Sequence, residues 1–100
     1  MAISIGQRVP DTRVEFWQRG ATSVQELSLR DYKGKWLVLF FYVRDFSYIC
    51  PTELSAFAKL REEFEREDTS IIAASTDSYF SHEAWFSQDE QLEGVTFPVI

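Results

Sequence analysis

The chain has 100 residues, which suffices for one small domain, 1–100, and is too short for two. Hydrophobic residues make up 45% of the sequence and aromatic residues 16%, so the chain can bury a core and disorder is not expected. Ten basic and sixteen acidic residues give a net charge of −6, which argues against nucleic acid and against an anionic membrane surface as partners.

No apolar run approaches the roughly 20 residues that a membrane-spanning helix needs. Residues 1–8 also lack the charged start and the long apolar stretch of a signal peptide. A lone cysteine cannot form an internal disulfide, so nothing in the sequence points to an oxidising compartment. We therefore expect a cytoplasmic protein.

The first part of the chain predicts a β-hairpin, with strands over 13–17 and 23–29 around a turn at Gly20. After a polar turn, residues 36–42 are apolar or aromatic without alternation. Such a run predicts a strand that is buried on both faces, as in a parallel sheet. We expect Trp36, at the start of this strand, to lie in the core.

From 51 to about 66, apolar residues recur at intervals of three and four, which predicts an amphipathic helix. These residues are Leu54, Phe57, Leu60 and Phe64. Residues 70–75 form a second short apolar strand. Strand, helix and strand over 36–75 make one βαβ unit, which implies a parallel pair and a right-handed crossover.

The remaining residues continue the α/β pattern. Asp77 and Ser78 can cap a second helix over 79–87. Residues 95–100 are apolar and begin a further strand. A sheet element that ends at the last residue would be left uncovered, so we expect either a fragment or an edge that another chain covers.

The residue best placed for chemistry is Cys50, which follows the loop after the first strand of the βαβ unit and opens the helix. Open α/β sheets place their sites at this end of their strands. A helix amino terminus favours thiolate over thiol, and thiolate is the nucleophilic form. Ser47 stands three residues earlier, within reach of a hydrogen bond to the sulfur. Without a partner cysteine, the pattern indicates attack on an external electrophile.

Two blocks of the sequence resemble the peroxiredoxin family. In residues 40–54, Phe-Phe-Tyr is followed eight residues later by Cys-Pro-Thr-Glu-Leu, with Asp-Phe-Ser between them where the family has Asp-Phe-Thr. Residues 75–85 resemble the Ser-x-Asp-Ser-x-Phe-x-His-x-Ala-Trp of the typical two-cysteine, or alkyl hydroperoxide reductase-like, branch. The resemblance spans nearly the whole chain. It implies a thioredoxin-like α/β fold, of which these residues are the N-terminal portion without the later strands and helix.

The resemblance also implies roles for individual residues. Cys50 would be the peroxidatic cysteine, and Ser47 would supply the hydroxyl that hydrogen-bonds sulfur and peroxide. Glu53 matches a glutamate that helps to hold an active-site arginine, and this arginine is expected beyond residue 100. The pocket would be lined by Tyr42, Val43, Phe46 and Pro51.

Val43 departs from the family motif, which has proline at this position. The proline rigidifies the loop and shields the cysteine from water; valine keeps an apolar side chain but loses the fixed φ. The family's resolving cysteine is also expected beyond residue 100. If these 100 residues act alone, we expect reduced peroxidase activity, because an arginine clamp contributes a few powers of ten in rate.

A peroxiredoxin would reduce hydrogen peroxide and organic hydroperoxides with no metal, haem or flavin cofactor. Its electrons would come from a thiol reductant such as thioredoxin or glutathione, and it would form a homodimer or a larger homo-oligomer. Two alternatives stay open. Val43 and the missing arginine suit a catalytically impaired interaction or regulatory module. The spacing of Ser47 and Cys50, a CxxC motif with one sulfur replaced, suits a thioredoxin-like thiol oxidoreductase.

His82 is the single histidine, and one histidine with one cysteine makes no credible zinc site. We expect it to pack in the core or to lie on a solvated face. Trp85 and Phe86 are expected to contribute to the core or to a subunit contact.

Overall fold

The structure, a computed structural model, describes residues 4–47 and 50–100. It contains an antiparallel pair of strands and a parallel pair of strands, with helices between and after the parallel strands. The mixed α/β architecture predicted from the sequence is therefore confirmed. Among the helices of these residues, none is both long enough and apolar enough to cross a membrane.

The hairpin consists of strands β1 (Arg13–Phe16) and β2 (Gln25–Ser28). Gly20 lies in the connection with a φ of 90°, in the left-handed region that a side chain disfavours. Both strands are shorter than predicted: Trp17 pairs instead with Val99, and Leu29 begins a short 3₁₀ helix.

The βαβ unit consists of strand β3 (Trp36–Phe41), helix α1 (Cys50–Arg66) and strand β4 (Thr69–Ala74). The two strands are parallel, with Val38 opposite Ile71, as the sequence predicted. Helix α1 begins one residue earlier than predicted, so Cys50 is itself the first helical residue.

Strand β3 is not buried on both faces, and that prediction is wrong. Its end residues Trp36 and Phe41 are 76% and 75% exposed, and the four residues between them are half-buried. Within residues 4–47 and 50–100, β3 pairs with a strand on one side only. Strand β4 has β3 on one side and residues 98–100 on the other, and it is β4 that supplies the buried strand.

The predicted strand over 95–100 forms backbone pairing only at its end. Val99 bridges to Trp17 in antiparallel fashion and to Ala73 in parallel fashion. The Val99 N–H donates to the Trp17 carbonyl at 2.8 Å, and the Ile100 N–H donates to the Ala73 carbonyl at 2.8 Å. The last three residues thus join the hairpin to the parallel pair.

Helix α2 (Tyr79–Gln88) begins after Ser78, whose side-chain oxygen accepts a hydrogen bond from the Ser81 N–H at 3.2 Å. Ser78 is therefore the cap, as predicted. Trp85 and Phe86 are 3% and 1% exposed and lie in the main hydrophobic core, as predicted.

Helix α1 packs on the core through a narrower stripe than the sequence pattern indicated. Leu54 is completely buried, whereas Leu60 is 43% exposed. Phe57 and Phe64 are half-buried and pack against the core cluster.

Arg19 joins the hairpin connection to the segment that follows α2. Its Nε donates to the Val95 carbonyl at 3.1 Å, and its Nη2 donates to the carbonyls of Phe86 and Leu92 at 2.9 and 2.8 Å. The guanidinium also lies 5.4 Å from the centre of the Trp17 ring. One side chain therefore satisfies three carbonyls and stacks on a buried indole.

We expect Arg19→Ala to lower the free energy of unfolding by about 3 kcal/mol, because it leaves three carbonyls without their charged donor. Arg19→Lys keeps the charge and loses the planar fork, so it should recover only part of this loss. Urea unfolding followed by circular dichroism measures both. An Arg19→Ala protein within about 0.5 kcal/mol of the parent, the range of ordinary surface substitutions, would contradict this account.

Candidate active site

Cys50 is a free thiol that lies at the first position of α1 and is only 6% exposed. It belongs to the same core cluster as Tyr42, the residue that follows β3, and as Leu54 one turn along α1. Pro51 is buried directly after it. The amino end of a 17-residue helix carries partial positive charge, which favours an anion at this position. The thiol thus combines shielding from water with a favourable helix end.

The loop over 42–47, which precedes Cys50, is held by a hydrogen bond within the loop and by another to Asp77. The Tyr42 hydroxyl donates to Asp45 Oδ1 at 2.5 Å, and the Asp45 N–H donates to Asp77 Oδ2 at 2.7 Å. Phe46 has a φ of 57°, a left-handed conformation that is unusual for a bulky side chain. Such backbone strain persists only where the surroundings impose it, and it is frequent at functional sites.

His82 on α2 completes a buried polar network with this loop. Its Nδ1 lies 2.7 Å from Asp45 Oδ2 and 3.3 Å from the Tyr42 hydroxyl, and its Nε2 lies 3.1 Å from the Ile100 carbonyl. The side chains of His82 and Asp45 are 2% and 1% exposed. Because a carbonyl only accepts, Nε2 must carry a proton. His82 and Asp45 therefore form a closely hydrogen-bonded pair in the protein interior.

Asp77 holds the loop from another direction. Its Oδ2 accepts from the Asp45 N–H and from the Ser75 hydroxyl, the latter at 2.8 Å. Asp77 was expected to cap α2, but Ser78 takes that role, and Asp77 instead ties the end of β4 to the loop before Cys50. Helix α2 and the residues that follow β3 and β4 thus meet at Asp45.

The pKa of Tyr42 is raised well above its usual value of 10.0, first by burial and then by its hydrogen bond to the Asp45 carboxylate. The phenol therefore keeps its proton, and its role as donor to Asp45, through the neutral and mildly alkaline range.

This shift predicts a loss of stability in alkali. Below pH 10 both states of the protein hold the Tyr42 proton, but above about pH 10 the unfolded chain releases it first, so the free energy of unfolding falls as pH rises. The contribution reaches about 1.4 kcal/mol per pH unit. Tyr42→Phe removes it, so its stability should fall less steeply between pH 10 and 11. Urea unfolding at several pH values measures both slopes, and equal slopes would contradict the assignment.

The remaining predicted site residues are more exposed. The Ser47 hydroxyl donates to the Arg44 carbonyl at 2.9 Å, so its proton serves a turn in this structure while its lone pairs stay open. Val43 is 78% exposed. Phe46 is 53% exposed, with its ring 6.0 Å from that of Trp85. Tyr42 and Pro51 are the two predicted pocket residues that lie buried close to the thiol in the chain.

Glu53 lies exposed in the first turn of α1, where its negative charge complements the helix dipole. The sequence reasoning did not identify Asp45 and His82 as a pair. Asp45 lies in the first of the two blocks that resemble the peroxiredoxin family, and His82 lies in the second, 37 positions later. Their membership of these two blocks is the signal that could have paired them.

The chain is similar to known proteins over most of its length. The AhpC/TSA family matches residues 5–100. A relative from Clostridium pasteurianum is 40% identical over 98 residues, which cover 95% of this chain and 55% of its own length. The thioredoxin-dependent peroxide reductase of Drosophila melanogaster mitochondria is 48% identical over 73 residues, covering 73% of this chain and 31% of its own length. The chain belongs to the AhpC/TSA family.

Solved structures of AhpC proteins share the fold. The Mycobacterium tuberculosis AhpC structure superposes with a TM-score of 0.83 at 34% identity, over 97% of this chain and 63% of its own. The Enterococcus faecalis AhpC structure gives a TM-score of 0.86 at 29% identity, over 93% of this chain and 55% of its own. The thioredoxin-like fold predicted from the sequence is thereby confirmed. The chain spans about half, or less, of the length of the curated relatives it matches.

Proposed function

We propose that this AhpC/TSA chain carries the peroxide-reducing thiol of a thiol peroxidase and that Cys50 is its nucleophile. The observation that carries the proposal is the position of Cys50: a free, buried thiol at the first residue of α1, after a loop fixed by a buried hydrogen-bond network. The helix amino terminus favours an anion at this position, and the limited exposure of the sulfur restricts its reaction to small electrophiles. Hydrogen peroxide and organic hydroperoxides are such electrophiles.

The reaction has two balanced steps. In the first, the Cys50 thiolate attacks one peroxide oxygen, the O–O bond breaks, and the second oxygen leaves with a proton as water or an alcohol, giving a sulfenic acid. In the second, two thiols of a reductant supply two electrons. One attacks the sulfenic sulfur and releases water, and the other displaces the Cys50 thiolate to give the reductant's disulfide.

The other predicted residues have supporting parts in this proposal. The Ser47 hydroxyl donates its proton to the Arg44 carbonyl, and its oxygen can still accept a hydrogen bond. In this proposal the oxygen accepts from an incoming hydroperoxide. Glu53 is an exposed carboxylate on the helix turn that carries the thiol, suited to pairing with an arginine. Tyr42, Val43, Phe46 and Pro51 form the walls of the peroxide pocket.

The reductant is a thiol protein or peptide, thioredoxin or glutathione, and the relative from Drosophila melanogaster is named as thioredoxin-dependent.

Self-association into a homodimer or larger oligomer is supported by three large apolar side chains that are mostly exposed: Val43, Phe46 and Phe80. The place of action is the cytoplasm. Sedimentation at several protein concentrations tests the oligomer, and a single monomeric species at every concentration would contradict it.

The test of the function is hydroperoxide consumption coupled to a thiol reductant. We expect the chain to consume hydrogen peroxide when thioredoxin, its reductase and NADPH are supplied. In a parallel assay with dithiothreitol in place of thioredoxin, we expect insulin reduction to be no faster with the chain than without it. Insulin reduction without peroxide consumption would favour the thiol oxidoreductase instead. Inertness in both assays would favour the non-catalytic module.

A further inference from the structure

A cleft of 520 Å³ lies at the start of β3, between the N-terminal segment and the short turn before that strand. Four cationic side chains line it: Arg8, Arg30, Lys33 and Lys35. This volume lies within the range of small-molecule sites, which is about 300–1,000 Å³. The cleft is therefore large enough for a metabolite and is strongly basic.

The cleft is lined by basic residues although the chain as a whole is acidic. The net charge of the protein is −6, yet four of its ten basic residues line this one cleft, and none of the described residues that line it is acidic. Arg30 pairs with Asp11 at 3.5 Å. Within residues 4–47 and 50–100, the other three cations, Arg8, Lys33 and Lys35, form no ion pair.

The acidic residues nearest in sequence are held by other groups. Asp11 accepts a hydrogen bond from the Ser28 hydroxyl at 2.6 Å, and Asp31 accepts one from the Ser28 N–H at 3.0 Å. Both carboxylates thus serve the cap of the turn over Leu29–Tyr32. Arg8, Lys33 and Lys35 thus have no ion-pair partner among the described residues, although the nearby Asp31 carboxylate reduces the net positive charge beside Tyr32.

The cleft also has an apolar floor. Leu29, Tyr32 and Leu37 line it and are half-buried, and Val9 and Pro10 form its rim. Burial, and then the neighbouring charge of Asp31, raise the pKa of Tyr32, so its phenol keeps a proton to donate. The lining therefore combines cations, a hydroxyl donor and apolar surface.

This cleft is separate from the peroxide site. Leu37 lies near the amino end of β3, whereas the loop to Cys50 leaves the carboxyl end of the same strand. The four residue-to-residue steps from Leu37 to Phe41 span about 13 Å of strand. A ligand in the cleft would therefore not occupy the position of a hydroperoxide at Cys50.

We propose that this cleft binds a small organic phosphate, a molecule that joins two or more negative charges to an apolar or aromatic body. Three unpaired cations match a di- or triphosphate better than a single carboxylate, because each phosphate oxygen accepts from Lys or Arg. The half-buried floor of Leu29, Tyr32 and Leu37 would contact the apolar body. A nucleoside di- or triphosphate has this chemistry.

The test uses the full chain with three probes: ATP without divalent cations, inorganic pyrophosphate and decanoate. Calorimetric titration gives the dissociation constants. Fluorescence quenching provides a second readout, because Trp36 lies between Lys35 and Leu37 and is 76% exposed, whereas Trp17 and Trp85 are buried. We expect saturable one-to-one binding of ATP that is tighter than binding of either other probe and that weakens as salt rises.

Two double variants separate the effect of the cleft cations on ATP binding from the effect of the total charge of the protein. Lys33→Gln with Lys35→Gln removes two cations of the cleft, and we expect ATP binding to weaken about tenfold. Lys59→Gln with Arg66→Gln removes the same charge from exposed positions of α1 outside the cleft, and should change binding less than twofold. Equal losses in both variants, absence of saturation, or pyrophosphate binding as tight as ATP would overturn the proposal.

Discussion

Replacing Cys50 by alanine is expected to reduce hydroperoxide consumption about a hundredfold, to the background rate of the reductant, because the chain loses its only thiol nucleophile. The chain has no second cysteine that could take over the attack. Alanine suits this position because Cys50 is 6% exposed and lies in the core cluster, so the substitution buries no new polar group. Peroxide consumption in the presence of a thiol reductant measures the effect.

Two further variants make this result interpretable. Cys50→Ser keeps the size of the side chain but buries a hydroxyl, so it should lose activity to the same extent and also some stability, about 1–3 kcal/mol. Ser47→Ala retains the thiol and should retain part of the activity. If folded Cys50→Ala protein consumed peroxide at the parent rate, the proposed function would be wrong.

Replacing Asp45 by alanine is expected to lower the free energy of unfolding by about 3–5 kcal/mol, because it removes one partner of a buried pair. The Tyr42 hydroxyl would lose its acceptor at 2.5 Å, and His82 Nδ1 would lose its partner at 2.7 Å, both in the protein interior. The loop that leads to Cys50 would lose its anchor to α2. We therefore also expect Cys50 oxidation to slow by roughly tenfold, since misplaced reacting groups are costly.

Asp45→Asn provides the matched comparison. The amide oxygen can still accept from Tyr42, and the amide nitrogen can donate to Nδ1 of a neutral His82 that keeps its Nε2 proton. We expect a loss of only about 1 kcal/mol. Glu83→Ala, which removes an exposed carboxylate from the same helix, should change stability by less than about 0.5 kcal/mol. A small loss for Asp45→Ala, no larger than for Glu83→Ala, would refute the role of the network.

The elements that depend on local pattern were predictable from the sequence. The three-and-four spacing of apolar residues indicated α1, and the observed helix, Cys50–Arg66, differs from the predicted one by a single residue. The apolar runs indicated the parallel pair β3 and β4. The position of Cys50 at the helix start followed from the strand before it and the proline after it, which favours the first helical turn.

The features that depend on distant neighbours were not predictable in this way. The apolar run over 36–42 reads as a buried strand, but burial is decided by which strands flank it, and β4 rather than β3 has a partner on each side among the described residues. Trp36 consequently lies on the surface. In the same way, the residues next to His82 in the sequence do not predict its contact with Asp45, 37 residues earlier, because this contact forms only when α2 packs beside the loop.

The most direct measurement of the central claim is the second-order rate of Cys50 oxidation by hydrogen peroxide near neutral pH. Tryptophan fluorescence gives the rate, and intact mass confirms that one oxygen is added. We expect Cys50 to react on the order of a hundredfold faster than a free cysteine thiol, because the helix end and the fixed loop stabilise the developing charge. A rate equal to that of free cysteine, in a protein shown to be folded, would contradict the account of Cys50 as the peroxide-reducing thiol.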